Sequence, residues 1–403
     1  MAVSTTSRGD LVAGVVVAAG LLVVAATHVG YPALVLAAAH RRRRRPVAAG
    51  RVAALPTLTV VIPAHDEERF LGDKIRDVRS QDYPPELVQV VVVDDGSTDG
   101  TRAVAEASSP AVDLVSRPDR QGKSEALNAG VGVARGEIVV FTDANGALLP
   151  GSFRAIVEPF ADRAVGVVSG TKRPVGDGAH GGGESAYWRL ETWLKDAEGV
   201  LGTVVGADGG IYAVRRSAWR PIPPGVYADD YHVPLDALRR GWKVGHARDA
   251  AAVEAVAATL ADEFERRTRI AAGIWRESVA NRELARASRG WVAVAFVGHR
   301  VLRTMVTPSL LPVVYGGSVV LRHRGRLGPV LFWGQTICWS AAALGALADA
   351  RLLALPHQFA VANLAALRGG WRYLARRQTA LWRSTARGSW QRIPVDRRLD
   401  HAA

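Results

Sequence analysis

Four consecutive valines, residues 90–93, run directly into the polar segment Asp-Asp-Gly-Ser-Thr-Asp-Gly of residues 94–100. This stretch constrains the fold of the 403-residue chain more than any other. An uninterrupted run of β-branched apolar residues predicts a strand buried on both faces, as in a parallel sheet. In open α/β sheets, ligands bind just beyond the carboxyl ends of such strands. We therefore expect a ligand-binding loop that begins at Asp94.

Strand-like and helix-like segments alternate from residue 57 onward. Residues 67–81 have the pattern of an amphipathic helix, and the strand-like segments are 57–63, 89–94, 113–115, 137–142 and 165–169. Strands that alternate with helices of this length predict an α/β domain with a mostly parallel sheet. We expect this domain to occupy residues 57–288.

Apolar segments flank the predicted domain. Residues 11–39 contain no Asp, Glu, Lys or Arg, and they exceed the roughly 20 apolar residues that a membrane-spanning helix needs. Five arginines follow at positions 41–45, which predicts an uncleaved helix whose C-terminal end is cytoplasmic. Residues 1–45 are therefore expected to form an N-terminal transmembrane helix with a basic anchor.

The C-terminal apolar segments have a less certain arrangement. We expect interfacial and transmembrane helices over 289–370 and a basic tail over 371–403. Residues 329–348 are the best candidate span, whereas 306–321 is short and 352–367 would either span the bilayer or lie in its interface. An outward crossing by 306–321 would place the basic residues 322–326 outside, against the usual charge bias. The number and topology of these spans stay open.

The net charge of +13 is concentrated beside the apolar segments, at residues 41–45, 322–326 and the tail from residue 368 onward. This placement suits anionic lipid headgroups better than a nucleic-acid duplex. We expect membrane lipids, and no nucleic acid, among the partners. The single cysteine, Cys338, rules out a disulfide framework within this chain and a cysteine-based zinc site.

Three groups of polar residues follow predicted strands or a proline-rich turn. They are Asp94–Asp95, Asp143 with Asn145, and Asp229–Asp230. The carboxyl ends of parallel strands meet at one edge of a sheet, so we expect these groups to converge there. Converging carboxylates repel one another unless they bind a cation or share a proton. Oxygen ligands without a His or Cys cluster favour Mg²⁺ or Mn²⁺ together with a diphosphate.

Four motifs, in order, resemble those of family 2 glycosyltransferases with a GT-A nucleotide-sugar domain. They are TVVIPAHDEE at 59–68, VDDGSTDGT at 93–101, GKSEALN at 122–128 and FTDAN at 141–145. The resemblance extends from residue 57 to about residue 275. It implies a GT-A Rossmann-like fold and a nucleotide-sugar donor, with a UDP-sugar favoured. The membrane segments resemble those of bacterial members that act on polysaccharide or lipid-linked acceptors.

The resemblance also implies roles for residues at the matching positions. The expected donor-binding residues are Pro63, Ala64, Glu67, Asp94, Asp95, Lys123 and Asp143. Asp95 would contact the base and Lys123 would lie near the phosphates, although a solvated lysine at a helix start is the alternative for Lys123. Asp143 would begin the DxD motif that holds the metal against the diphosphate, with Asn145 as a neutral ligand in place of the second acid.

The pair Asp229–Asp230 matches the family's Glu-Asp pair, which makes Asp230 the expected general base with Asp229 beside it. Inverting transfer needs one carboxylate to accept the proton of the acceptor hydroxyl and a cation to neutralise the departing diphosphate. The segment GADGGIYAVRR at 206–216 resembles the family's acceptor-side loop. Gly206, Asp208 and Gly209 are therefore expected to bind the acceptor.

One motif departs from the family pattern. Processive polysaccharide synthases carry Gln-x-x-Arg-Trp, and the corresponding segment here reads RRTRI at 266–270. Arg269 matches and is a further donor-binding candidate, or part of a basic helix face beside the membrane. The departures at Arg266 and Ile270 argue against processive synthesis without affecting the enzyme class.

These observations predict a multi-pass protein of the cell membrane whose catalytic domain faces the cytoplasm. It would be an inverting glycosyltransferase that moves one sugar from a nucleotide donor to a lipid-linked or polysaccharide acceptor. The alternatives are a processive polysaccharide synthase and a catalytically inactive membrane protein that binds nucleotide-sugars.

Overall fold

The computed structural model describes residues 8–43, 54–108, 111–175, 179–255, 259–347 and 350–377. The predictions for Arg44, Arg45 and the basic tail beyond residue 377 therefore lie outside the described residues. So does most of the linker that precedes the α/β domain.

Eight strands form one sheet. The strands are β1 (Leu58–Ala64), β2 (Val88–Asp95), β3 (Asp113–Arg117), β4 (Ile138–Phe141), β5 (Ala147–Leu148), β6 (Val165–Val175), β7 (Tyr212–Arg215) and β8 (Lys243–Ala255). Their order across the sheet is β3-β2-β1-β4-β7-β6-β8-β5. The helices that accompany them, in chain order, are α1 (Arg8–Ala25), α2 (Tyr31–Arg43), α3 (Glu68–Arg79), α4 (Thr101–Glu106), α5 (Lys123–Gly132), α6 (Ser152–Val157), α7 (Ala179–Leu201), α8 (Asp229–Arg239), α9 (Leu260–Ala280), α10 (Trp291–Ala295), α11 (Thr307–Leu321), α12 (Leu327–Leu344) and α13 (Arg351–Leu374).

The predicted α/β fold is confirmed, with a sheet that is more mixed than expected. Strands β3, β2, β1 and β4 pair in parallel, and so do β6 and β8. Strand β7 lies between β4 and β6 and is antiparallel to both, and β5 is antiparallel to β8. Strands β5 and β7 are two and four residues long, too short to give a clear alternating pattern in the sequence.

The valine run forms the centre of the parallel half of the sheet. Val91 and Val93 pack on one face in a cluster that includes Leu127 of α5. Val90 and Val92 pack on the other face in a cluster that includes Ile75 of α3. Burial of a valine side chain contributes about 1.5–3 kcal/mol, so β2 is held from both faces, as predicted from the sequence.

The chain leading into β4 passes unusually close to β1 at Gly136. A Cβ atom on Gly136 would lie 2.5 Å from both the carbonyl carbon of Leu58 and the nitrogen of Thr59. These neighbours are backbone atoms in a buried strand and cannot move aside independently. The glycine is therefore required by the close approach of the two backbones.

We expect Gly136→Ala to cost about 1–3 kcal/mol of stability because the added methyl group overpacks this contact. Thermal unfolding of the detergent-solubilised protein should show a clearly lower Tm. Gly132→Ala is the matched control, since a Cβ there meets no atom within 4 Å. Equal Tm values for the two variants would contradict the packing argument.

Three segments of the described chain are long and apolar enough to cross a membrane: Arg8–Arg42, Trp291–Leu321 and Leu327–Leu344. Residues 306–321 looked too short for a span. The structure extends them, because the π-helical stretch Phe296–Val306 joins α10 to α11 in one continuous helix. A second π-helical stretch, Ala26–Gly30, joins α1 to α2.

Helix α13, left open as a span or an interfacial segment, packs against α9 of the α/β domain. A Cβ atom on Gly369 would lie 2.6 Å from the carbonyl oxygen of Thr268, and one on Gly370 would lie 2.7 Å from the Trp275 ring. The two small residues let the helices approach closely. Helix α13 therefore connects the domain to the apolar helices.

The basic loop 322–326 lies at the end of the helices remote from the α/β domain. Arg324 Nε is 3.4 Å from Asp10 Oδ1 at the start of α1. At the start of α2, the Tyr31 hydroxyl donates a 2.5 Å hydrogen bond to Glu198 of the domain helix α7. The acidic Asp10 thus offsets part of the positive charge at the remote end.

Candidate active site

A cavity of about 550 Å³ lies between the sheet and the apolar helices. Most of the candidate residues from the later motifs line it: Lys123, Asp143, Asn145, Gly206, Asp208, Gly209, Asp229, Asp230 and Arg269. Their elements are far apart in the sequence, so the tertiary fold assembles this group. Pro63, Ala64, Glu67, Asp94 and Asp95 lie instead at the adjoining ends of β1 and β2, where Ala64 and Asp94 are register partners.

Lys123, the first residue of α5, lies among the carboxylates of the cavity. Its Nζ is 2.8 Å from Asp143 Oδ1 and 3.4 Å from Asp229 Oδ1. Burial disfavours the ammonium ion, but Asp143, Asp229 and Asp230 outweigh that effect and raise the pKa of Lys123. The lysine therefore stays charged and holds carboxylates together that would otherwise repel one another. It is not the solvated helix-start residue of the alternative interpretation.

The two neighbouring aspartates Asp229 and Asp230 have different surroundings. Both lie in the first turn of α8, which follows the proline-rich turn seen in the sequence. Asp229 is buried, and its Oδ2 accepts a 2.9 Å hydrogen bond from the Tyr212 hydroxyl while Oδ1 faces Lys123. Among the described residues, nothing donates a hydrogen bond to the Asp230 carboxylate. Asp229 is thus fixed in place, and Asp230 is available to a ligand.

Burial and the adjacent Asp229 raise the pKa of Asp230 to about 6, despite the opposing effect of Lys123. A carboxylate with this pKa is largely ionised at neutral pH and is a stronger base than an ordinary aspartate. The Asp230 side chain also faces Gly209, where a Cβ atom would lie 3.3 Å from Asp230 Oδ2. The glycine leaves open space directly in front of the candidate base.

Asp143 and Asn145 suit a divalent cation whose remaining ligands come from a bound substrate. Within the described chain, no cluster of three or more His, Cys, Asp or Glu side chains is arranged to hold a metal. Asn145 Oδ1 is buried and has no hydrogen-bond partner, so it has an unused acceptor beside the Asp143 carboxylate. Mg²⁺ is commonly bound by one or two carboxylates together with substrate phosphates, and these residues fit that pattern.

Asp208 is tied into the surrounding structure. Its Oδ1 is 2.5 Å from Lys195 Nζ of α7, and its Oδ2 accepts a 3.2 Å hydrogen bond from the Lys172 backbone. The carboxylate therefore anchors the loop 206–210 to α7 and β6. Lys195 and Tyr212 were missed in the sequence because each is a single polar residue in an otherwise ordinary segment, with no spacing signal.

The carboxylate of Asp95 organises the loop that leads to Lys123. Asp95 accepts hydrogen bonds from the backbone nitrogens of Gln121 (3.0 Å) and Gly122 (2.7 Å). Gly122 has φ = +100°, a conformation that L-residues with a side chain rarely adopt. The valine-run loop thus sets the start of α5, and through it the position of Lys123. Contact between Asp95 and a base remains a prediction.

The helix that carries RRTRI contributes to the cavity wall. Arg269 and Ile270 of α9 line the cavity together with Arg266 and Arg267. Arg266 and Arg267 both pair with Glu263 one turn earlier. Arg269 therefore lies on the cavity side of α9, and its part in donor binding stays a prediction.

The fold thus gathers acidic residues around Lys123 at the edge of the α/β sheet. Residues 59–220 match the family described as Glycosyl transferase family 2. This match confirms the predicted resemblance to family 2 glycosyltransferases over that segment.

Similar proteins agree with this assignment. An N-acetylglucosaminyltransferase of Mesorhizobium japonicum is 26% identical over 280 residues, which cover 64% of this chain and 65% of the relative. A glucosyl-3-phosphoglycerate synthase of Mycolicibacterium paratuberculosis is 32% identical over 202 residues, which cover 45% of this chain and 59% of the relative. This chain thus spans 65% and 59% of the lengths of these two relatives.

A solved structure supports the fold. The mannosyltransferase PcManGT from Pyrobaculum calidifontis, in complex with GDP-Man and Mn²⁺, superposes with a TM-score of 0.72. It is 24% identical, and the match covers 90% of this chain and 100% of that chain. The shared fold extends beyond the α/β domain, since the match covers most of the chain.

Proposed function

We propose that this protein is a membrane-bound inverting glycosyltransferase, with its catalytic domain on the cytoplasmic face. It would transfer a sugar from a nucleotide-sugar to a lipid-linked or polysaccharide acceptor. One observation carries the proposal: a single cavity brings Asp143, Asn145, Asp229 and Asp230 together with residues of the apolar helices. The PcManGT complex with GDP-Man and Mn²⁺ supports a nucleotide-sugar donor and a divalent cation here as well.

Each residue of the site has a part in the reaction. The donor's nucleoside would lie toward Asp95 and its diphosphate toward Lys123, whose ammonium matches phosphate charge. Asp143 and Asn145 would hold Mg²⁺ or Mn²⁺, which neutralises charge on the departing diphosphate. Asp230 accepts the proton of the acceptor hydroxyl as the oxygen attacks the anomeric carbon from the opposite side. Asp229, held by Lys123 and Tyr212, fixes the first turn of α8 and keeps Asp230 in place.

The two alternatives are less well supported. A processive synthase would need a binding surface for a long polar chain, whereas the membrane side of the cavity has apolar side chains such as Leu355 and Phe359. An inactive binding protein would have no use for a carboxylate that lacks an internal partner and has a raised pKa. Asp230 has both properties.

A donor panel tests the proposed function. Purified full-length protein should release nucleotide from one or more UDP- or GDP-sugars in the presence of Mg²⁺ or Mn²⁺ and a membrane lipid extract. Chelation by EDTA should abolish the release, because it removes the divalent cation that neutralises charge on the departing diphosphate. No turnover with any donor under both metals would refute the transferase assignment.

A further inference from the structure

The cavity continues from the carboxylates into a cleft between the apolar helices. This apolar arm is lined by Leu355, Phe359 and Ala362 of α13, by Thr304 of the π-helical stretch and by His28 of the first apolar helix. The His28 and Phe359 rings lie edge to face, with centroids 5.8 Å apart. The arm therefore lies between α13 and two of the helices that are apolar enough to span a membrane.

Arg300 lies at the junction between the apolar arm and the candidate base. Its guanidinium carbon is 5.5 Å from the centroid of the Tyr231 ring, and Tyr231 directly follows Asp230. A Cβ atom on Gly206 would lie 2.5 Å from Arg300 Nη2, so the glycine makes room for the guanidinium. Asp230 and Gly206 are adjacent too, since the Asp230 carbonyl accepts a 2.7 Å hydrogen bond from Ala207. A cation from an apolar helix thus lies beside Gly206 and Tyr231, the residues that flank the backbone of the candidate base.

Buried contacts with two carboxylates of α7 fix the π-helical stretch that carries Arg300. The His299 ring lies between two carboxylates of α7, with Nε2 2.9 Å from Glu191 and Nδ1 2.6 Å from Glu198. Arg303 Nη1 is 2.9 Å from the other oxygen of Glu191. The α/β domain and the apolar helix are therefore held together at this point, and Arg300 has a defined position.

The charge balance of the cavity favours an anion in addition to the donor. Eight lysine and arginine side chains line it, against six aspartate and glutamate side chains. A divalent cation and the diphosphate of a nucleotide-sugar would largely cancel each other. Two of the arginines, Arg266 and Arg267, share Glu263, which lies outside the lining. The lining together with Glu263 therefore carries one excess positive charge, and phosphate is a group that arginine recognises well.

We propose that the acceptor is an anionic amphiphile that enters from the membrane. Its apolar chain lies in the arm beside Phe359 and Ala362, its phosphate contacts Arg300, and its hydroxyl reaches Asp230. This inference rests on the proposed function and narrows its acceptor to a phosphate-bearing lipid with a hydroxyl group. The acceptor oxygen forms a bond to the anomeric carbon, the bond to the diphosphate breaks with its electron pair, and Asp230 takes the proton.

Photo-crosslinking tests the site without requiring turnover. The probe is a 1-acyl-glycerol 3-phosphate with a diazirine in its chain, added to the full-length protein in phosphatidylcholine nanodiscs. Cross-links should map to the helices around Phe359. Unlabelled 1-palmitoyl-glycerol 3-phosphate should compete, and both monopalmitoylglycerol and glycerol 3-phosphate should compete about tenfold less well or worse, because each lacks one of the two contacts.

Variants separate the contributions of the chain and the phosphate. Ala362→Trp fills the arm and should lower cross-linking about tenfold, as should Phe359→Ala, which removes contact area without adding bulk. The control Leu364→Trp lies on the same helix with Leu364 51% exposed, and it should behave as wild type. Arg300→Gln should weaken competition by the lysophospholipid about tenfold and leave competition by monopalmitoylglycerol unchanged.

Three outcomes would overturn the inference. Equal competition by glycerol 3-phosphate and the lysophospholipid would mean that the site recognises free phosphate. Cross-linking unaffected by both Ala362→Trp and Phe359→Ala would place the chain elsewhere. No effect of Arg300→Gln would remove the phosphate contact. Nucleotide-sugar turnover, measured on the same preparations, tests the proposed function separately.

Discussion

Replacement of Asp230 by asparagine should lower kcat for sugar transfer about a thousandfold, since a positioned general base contributes roughly 10²–10⁴ in rate. Asparagine has nearly the same shape and keeps the backbone hydrogen bond from Ala207 to residue 230, so the fold and donor binding should persist. Steady-state kinetics with a saturating donor would measure the loss, and calorimetry with the nucleoside diphosphate would measure binding. Asp236→Asn is the matched control on the same helix, where the carboxylate pairs with Arg239 and Arg240.

The pH dependence should identify the same group. The pKa of Asp230 is raised to about 6 by burial and by Asp229. The base is therefore protonated and inactive below this pH, and ionised and active above it. Wild-type kcat/KM should fall about tenfold per pH unit on the acid side, and the residual activity of Asp230→Asn should lack this inflection. An unchanged inflection in the variant would assign the titrating base to another residue.

Replacement of Asp143 by asparagine should weaken Mn²⁺ binding in the presence of nucleoside diphosphate and lower kcat/KM by about 10²–10³. Metal stabilisation of the leaving group is worth several kcal/mol, and each 1.4 kcal/mol corresponds to a factor of ten. Asp143 provides the one charged side-chain ligand in the proposed pair. Calorimetric titration of Mn²⁺ into the protein with UDP or GDP measures the affinity directly.

The reverse change, Asn145→Asp, should have the opposite effect on the metal. The Asn145 oxygen is buried without a hydrogen-bond partner, and a carboxylate there would add a charged ligand beside Asp143. Mn²⁺ should therefore bind more tightly and raise the Tm more than it does in wild type. Without metal, repulsion between the two carboxylates should lower the Tm. A Tm increase on Mn²⁺ addition that is the same in wild type, Asp143→Asn and Asn145→Asp would place the cation elsewhere.

The strands that carry the donor motifs were predictable from local pattern. The valine run forms β2, and the predicted segments 57–63, 113–115 and 137–142 form β1, β3 and β4 with shifts of one or two residues. These segments are buried on both faces or end in characteristic turns. Their apolar runs and turn residues therefore indicate strands without knowledge of distant contacts. Strand β7 and helix α7 were not recognised. Their positions depend on packing against β4, β6 and the apolar helices, which short segments do not encode on their own.

The different roles proposed for Asp229 and Asp230 could be assigned only from the tertiary structure. The two residues are identical in type and adjacent in sequence, and only the positions of Tyr212 and Lys123 distinguish them. The same holds for Arg300, which the sequence shows as one arginine among several in an interrupted apolar segment. Its place over Tyr231 follows from the π-helical continuation of the helix and from the contacts of His299 and Arg303 with carboxylates of α7.

The sequence by itself determined the α/β class, the resemblance to family 2 glycosyltransferases, the apolar segments and the acidic residues of the site. Each of these leaves a local signature in spacing or composition. The tertiary structure alone decided which residues share a cavity and which carboxylate lacks an internal partner. It also decided that the cavity opens toward the apolar helices. These properties depend on distances between residues that lie more than about 300 positions apart, such as His28 and Phe359. Contacts of that range follow from the folded topology and not from local pattern.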